Sequence, residues 1–338
     1  MDSIRAMGDL LMPRACLVCG CRLGLRERHL CLACAADVPY TRYWLQPHNP
    51  LADRFNAVLE RHRGTEPMDY AYAAALMHYK GGYRAIPRAL KYHADLAAGR
   101  HYGALLGRRL ASAPHLADID LVIPVPLHWT RRHARGYNQS TILAHALVSA
   151  FRTATTSPSP RRPAETGHDE GTSTSLLNRT IGPGEGSAVI PGEPRNLPVC
   201  RTDLLVRARR TRTQTRLSVE QKAQNVASAF QVPERFSPWV RFVSRLKRLV
   251  CPLDPKRFLN KSKAARKSLS QELPAQNTLA SESPATVLAS ARHILLVDDT
   301  FTTGATLYAC YATLRPYTSA RISIATLAAV EGTPSAGP

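Results

Sequence analysis

The segment Ile294–Thr306, ILLVDDTFTTGAT, constrains this chain more than any other. Ile294 to Val297 form a continuous apolar run, which reads as a buried strand of a parallel sheet. Asp298 and Asp299 fall at its C-terminal end, the edge at which open α/β sheets bind ligands. Thr302, Thr303, Gly304, Ala305 and Thr306 follow and lead into a helix predicted from about Leu307. A helix start offers unpaired N–H groups and the positive end of a dipole, and both favour phosphate. Gly304 permits close backbone approach, and the threonines add hydroxyl donors.

Carboxylates repel phosphate, so Asp298 and Asp299 call for different partners: sugar hydroxyls or a metal. The run as a whole asks for a ligand with a phosphate and neighbouring hydroxyls, as a ribose 5-phosphate has. An acidic turn that only caps the helix is the alternative. No G-x-x-x-x-G-K-[ST] occurs, which excludes an ordinary nucleotide P-loop. The glycine-rich GPGEG at Gly182 has no strand before it and carries no such meaning.

The flanking sequence keeps a strand, loop, helix rhythm, the mark of an α/β fold with a mostly parallel sheet. Tyr70–Met77 alternates as a strand, and helical spacing covers Tyr83–Leu90 and Tyr102–Leu110. DIDLVIPVPLHW, residues 118–129, reads as a buried strand ending in a loop. STILAHALVSAF, LYACYATLR and ARISIATLAA read as a helix, a helix and a final strand. Two stretches interrupt the rhythm. Residues from about 153 to 196 are rich in Pro, Gly, Ser and Thr, and predict a disordered insert or long surface loop. Order returns near Leu197 with a short strand, a basic loop and a helix from Ser218, which stands at capping-box spacing from Gln221. A second insert covers about 233–289. Its basic first part places Phe242, Leu246 and Leu249 on one helical face, an amphipathic helix or a self-solvating loop. The expected organisation is an N-terminal cysteine element at 1–45 and an α/β domain at 68–332 carrying both inserts.

A formal net charge of +20 favours polyanionic partners: nucleic acid, anionic lipid or phosphorylated small molecules. The alternative is that much of this charge sits in disordered, solvated segments. No apolar run approaches the roughly 20 residues that span a membrane. Asp9 interrupts the N-terminal segment, which does not read as a signal peptide. These features predict a cytoplasmic protein whose cysteines stay reduced. Oligomeric state is not legible.

CLVCGCRLGLRERHLCLAC holds two C-x-x-C pairs, Cys16 with Cys19 and Cys31 with Cys34. Each pair can set two thiolates on one tight turn. Two such turns supply four sulfurs at tetrahedral geometry, a structural Zn²⁺ site. A redox pair or an iron–sulfur site is the alternative. Cys21 breaks the pair spacing and reads as a spare, and His29 is a substitute ligand. Cys200, Cys251 and Cys310 stand alone and read as ordinary.

Ile294–Thr306 resembles the phosphoribosyl pyrophosphate (PRPP) motif of type I phosphoribosyltransferases. MPRACLVCG with the second cysteine pair, LKYHAD, VIPVPLHWTRRHARGYNQS and RARRTRTQTRLSVEQKAQNVASAF resemble, in order, the segments of its ComF/GntX branch. The resemblance covers nearly everything except the inserts, which are long for that branch. It implies a type I phosphoribosyltransferase fold with an N-terminal zinc ribbon. Asp298 and Asp299 would hold ribose hydroxyls, and Thr302 to Thr306 the 5-phosphate. Arg131, Arg132, Arg135, Gly136, Asn138 and Gln139 would form the pyrophosphate segment. Arg209, Arg210, Arg212 and Gln214 would lie in the mobile loop, with Lys80 and Lys91 as further anion contacts. It also implies PRPP and Mg²⁺ as ligands. The branch's link to DNA uptake implies a second possibility: an accessory that binds single-stranded DNA or a protein of the competence machinery, with PRPP as regulator. The sequence shows no Ser/His/Asp set for nucleophilic catalysis.

Overall fold

The structure is a computed structural model, and it describes residues 13–62, 69–156, 197–208, 229–233 and 282–331. In chain order the helices and strands are α1 (Leu32–Ala36), α2 (Pro50–Arg61), β1 (Ala73–His78), α3 (Ala85–Tyr92) and α4 (Leu96–Ala111). Then come β2 (Leu121–Pro124), α5 (Trp129–Arg135), α6 (Gln139–Thr156), β3 (Val199–Cys200), β4 (Val206–Arg207) and β5 (Phe230–Gln231). The last are α7 (Pro284–Ser290), β6 (His293–Phe301), α8 (Ala305–Leu314) and β7 (Arg321–Ala329).

Five strands form one sheet in the order β1-β7-β6-β2-β3, and every pairing in it is parallel. The expected α/β class is therefore present, with β6 at the centre. Its apolar run is buried on both faces because both faces are covered. Leu295 and Val297 join a core shared with α3, α4 and α6. Ile294 and Leu296 join a second core with α2, α7 and α8. The period-two alternation of a strand produces this division.

The two helices that press hardest on the first face are α4 and α6. Their approach depends on missing side chains. A Cβ on Gly107 would lie 2.2 Å from the Leu147 carbonyl oxygen, and one on Gly103 would lie 2.8 Å from that of Leu143. Backbone against backbone at this distance leaves no room for alanine. On the other face, Asn49 caps α2 by accepting the N–H groups of Leu51 and Ala52. Its amide also donates to the Ala73 carbonyl at 3.0 Å, so one side chain both starts α2 and ties it to β1.

The cysteine element is built into this domain. Cys16, Leu23, Leu30, Val38 and Trp44 belong to the same core as α4 and α6. The chain leaving the element runs beside β1, with a Tyr40–Met77 bridge and the His78 N–H donating to the Pro39 carbonyl at 2.8 Å.

Several boundaries differ from the sequence reading. β6 does not stop at Val297 but runs on to Phe301, because β7 stays paired with it as far as Phe301–Ala329. α8 starts at Ala305, two residues before the expected start. The stretch after β2 is not all loop: α5 forms there, opened by His128 accepting the Thr130 N–H and closed by Gly136 in the left-handed region. α6 continues to Thr156, past the expected start of the first insert. Residues 284–290, assigned to the second insert, form α7, capped by Ser283 with Pro284 in its first turn. The capping box at Ser218, the face made by Phe242, Leu246 and Leu249, Cys251 and the GPGEG stretch lie outside the described residues.

Candidate functional site

The carboxyl edge of the sheet gathers the polar groups that the sequence singled out. Asp299 follows Leu295 and Val297 toward α3 and α6. Its Oδ2 lies 3.1 Å from Lys91 Nζ and accepts from Gln139 Nε2 at 3.1 Å. Lys91 also reaches Thr300 Oγ1 at 3.4 Å. Asp298, one residue earlier on the strand, is also held at the start of α6. Its Oδ1 accepts from Ser140 Oγ at 2.9 Å and from the Asp299 N–H at 2.8 Å. Burial first, and the neighbouring Asp299 charge second, push the Asp298 carboxyl up to about 7.

Gln139 and Ser140 stand at the start of α6, directly after the turn that Asn138 builds. Asn138 donates to the Val125 carbonyl at 3.0 Å and accepts the Ser140 N–H at 3.2 Å. Gln139 is buried, and its Oε1 has no hydrogen-bond partner among the described residues. Its orientation follows from chemistry: a carboxylate neighbour takes the NH₂ end, which turns the oxygen away. A buried acceptor left unmet costs about 1–3 kcal/mol, so the site holds unspent hydrogen-bonding capacity.

The loop after β6 is shaped for backbone access. Gly304 has φ +79°, and a Cβ there would stand 3.0 Å from the Phe301 ring. Only glycine fits both demands. Gly304 occupies the cap position of α8 without a side-chain cap bond. Thr302 and Thr303 are exposed, and Ala305 begins the helix. Arg54, from α2, fixes the base of this turn by donating to the Thr302 carbonyl at 2.8 Å and to the Val330 carbonyl at 2.5 Å.

Arg131 and Arg132 lie on α5, exposed at the same edge. Arg135 is turned aside, its guanidinium 5.4 Å from the centre of the Tyr92 ring. Lys80 faces Glu331 at 3.5 Å and Lys91 faces Asp299, so both expected anion contacts are paired with carboxylates here. Arg210 and Gln214 lie outside the described residues. The sequence reading missed Arg207, on the two-stranded β4–β5 ribbon. Arg207 stacks 5.2 Å from the Phe230 ring, and burial with the nearby Arg131 and Asp298 charges sets its electrostatics. It missed Ser140 as well. No local signal marks either residue; a polar side chain that meets a strand 158 residues away leaves no periodicity.

The cysteine element holds a second site. The sulfurs of Cys16, Cys19, Cys21 and Cys31 all lie within 4.8 Å of one another. Cys19 and Cys31 are 3.7 Å apart. Ligands about 2.3 Å from a tetrahedral ion are about 3.8 Å from each other, so this spacing fits a metal such as zinc. The difference from the sequence reading is one residue: Cys21, set aside as a spare, is inside the tight group. Cys34, expected as a ligand, is outside it, yet its thiol faces those of Cys31, Cys19 and Cys16. Burial opposes ionisation of Cys16, but backbone N–H groups of Cys19, Cys31 and Val18 outweigh it and bring the thiol down to about 6. The adjoining Cys19 and Cys31 thiols push Cys21 up to about 12. His29 packs on His101 and Tyr102, away from this group.

A Ser/His/Asp line does occur, where the sequence showed none. His293 Nδ1 lies 2.6 Å from Asp118 Oδ1, and Nε2 lies 2.8 Å from Ser323 Oγ. It sits at the opposite edge of the sheet, with His293 and Ser323 fully enclosed. No substrate reaches that hydroxyl, so the line is a structural tie. Cys200 and Cys310 are buried thiols held protonated by burial. No helix among the described residues is long and apolar enough to cross a membrane. Compared with known proteins, the chain matches no family model and no curated protein.

Proposed function

We propose that this chain binds PRPP and transfers its phosphoribosyl group to an acceptor, releasing pyrophosphate, as a type I phosphoribosyltransferase of the ComF/GntX kind. One observation carries the reading. An acidic pair, a left-handed glycine turn and a helix start without a side-chain cap follow one another at the carboxyl edge of a central parallel strand. The sheet order, with β6 between β7 and β2, supports it by setting α5 and the start of α6 beside that strand.

In this reading Asp298 and Asp299 accept the ribose hydroxyls, and the backbone from Thr302 to Thr306 wraps the 5-phosphate. Ser140, Gln139 and Lys91 hold the two carboxylates in place. Arg131 and Arg132 stabilise the leaving pyrophosphate, where guanidinium groups pair with two oxygens at once. Asp298, Asp299 and Gln139 Oε1 would hold a Mg²⁺ ion, which would supply positive charge to offset that of the leaving group. The carboxylates and the orphan Gln139 oxygen are hard oxygen donors of the type such an ion or a hydroxyl requires. Bond breaking at C1 builds positive charge on the sugar and negative charge on pyrophosphate, so fixed charges do the work and no side-chain nucleophile is needed.

The test is titration calorimetry with PRPP and Mg²⁺, comparing wild type with an Asp298→Asn/Asp299→Asn double variant. Binding by wild type and none by the variant is expected. Silence from wild type overturns the reading.

A second reading has its own observation. Helix α5 exposes Trp129 beside Arg131, Arg132 and His133, and Tyr92 stands exposed under Arg135. Aromatic faces among arginines suit the bases and backbone of a single strand of nucleic acid. In that reading PRPP regulates a binding protein. Anisotropy of a labelled oligonucleotide against a salt series checks it: Trp129→Ala should weaken binding about tenfold, the loss of one stacked base.

A further inference from the structure

Five thiols crowd a position that a tetrahedral ion fills with four. One set of four, completed by Cys21, is close enough as it stands; the paired C-x-x-C spacing offers a second, completed by Cys34, that shares three of its members. Cys16, Cys19 and Cys31 belong to both; Cys21 completes one set and Cys34 the other. The two completing residues are anchored differently. Cys21 follows the turn of Cys16 to Gly20, where the Cys16 N–H donates to the Cys21 carbonyl at 2.8 Å and Gly20 takes φ +74°. Cys34 belongs to α1, three residues after Cys31, and its carbonyl accepts the Tyr83 hydroxyl at 2.9 Å. Neither anchor obliges the other to move.

We propose that the metal is held by three fixed thiolates, Cys16, Cys19 and Cys31, and that Cys21 and Cys34 exchange as the fourth ligand. The ion stays bound throughout, and one thiol of the two is always released. When Cys34 ligates, the released thiol is Cys21, which is exposed to solvent. The element thus presents a reactive thiol to a soft electrophile or a second soft metal ion without losing its own metal. The proposal stands apart from the phosphoribosyl reading and survives its failure.

Two measurements test it. In the first, zinc per chain and competition against a chelator are measured for wild type, Cys21→Ser, Cys34→Ser and the double variant. Each single variant keeps one zinc with affinity within about tenfold of wild type, and the double variant loses it by more than about a thousandfold, as expected when a closed thiolate site is opened. Loss of zinc from either single variant, by misfolding or otherwise, overturns the exchange. In the second, zinc-loaded wild type is alkylated with iodoacetamide and mapped by peptide mass spectrometry. One label within the cysteine element, residues 16 to 34, divided between Cys21 and Cys34, supports the proposal. A label confined to one of them, or none, overturns it.

Discussion

The two ends of β6 handle buried polarity in opposite ways. At the N-terminal end His293 is enclosed, and both ring nitrogens have partners, Asp118 and Ser323. Asp120 accepts the His293 N–H at 3.1 Å and the Arg292 N–H at 2.9 Å. His293 itself is fully met by the protein, although Nε2 of the neighbouring His115 has no partner among the described residues. At the C-terminal end the accounts stay open: Gln139 Oε1 lacks a partner, and Asp298 carries a carboxyl raised by burial and by its neighbour. Polarity closed on itself makes a strand anchor; polarity left open makes a place for something else. The same strand does both because one edge of a parallel sheet is sealed by chain connections while the other faces its loops.

His293→Ala tests the sealed end and should have the largest effect. It strands the buried Ser323 hydroxyl and empties a ring-sized space, at a cost of about 3 kcal/mol in urea unfolding. PRPP affinity of the folded protein should not change. A loss near zero would remove the distinction between the two ends. At the open end, Asp299→Asn should leave stability within about 1 kcal/mol and weaken PRPP about a hundredfold by calorimetry, about 2.7 kcal/mol of binding. If instead stability falls and affinity holds, Asp299 is an anchor like His293.

Gly304→Ala comes next. The left-handed φ and the Phe301 ring together cost about 1–2 kcal/mol, read as a lowered urea midpoint. Smallest per unit of the variable changed is a pH dependence. Folding raises the Asp298 carboxyl from its ordinary 3.8 to about 7, so the native state binds a proton more tightly than the unfolded chain. The protonated form's contribution to stability is complete below about 3.8 and is lost as pH rises through about 7. Between those values wild type should lose less than about 1.4 kcal/mol per pH unit relative to Asp298→Asn, measured by urea unfolding at each pH. Parallel pH profiles for the two proteins would refute the assignment.

Much of the site was legible from single residues. Gly304 could be read because its left-handed φ is a demand that only glycine meets without strain. Asp298 and Asp299 could be read because charges that end an apolar run mark the rim of a sheet. The cysteine pairs could be read from local turns. What escaped were partnerships across the chain. Lys91 was expected to meet an anionic ligand and instead meets Asp299, which lies in another strand. Cys21 broke a spacing rule, yet its sulfur lies with the others because the turn after Gly20 folds back. The extension of β6 to Phe301 escaped because hydrophobic period does not report where a neighbouring strand stops pairing.

By itself, then, the sequence determined the elements: a doubly buried strand, the glycine turn after it, the cysteine knuckles, and an α/β class. These follow from local sterics and from the alternation of side chains, which act over a few residues. Only the tertiary structure decided which polar groups meet. It set Gln139 and Ser140, adjacent at the start of one helix, against Asp299 and Asp298, and locked His293 between residues 175 and 30 positions away. Those contacts depend on sheet order and helix packing, and no short stretch of chain encodes either.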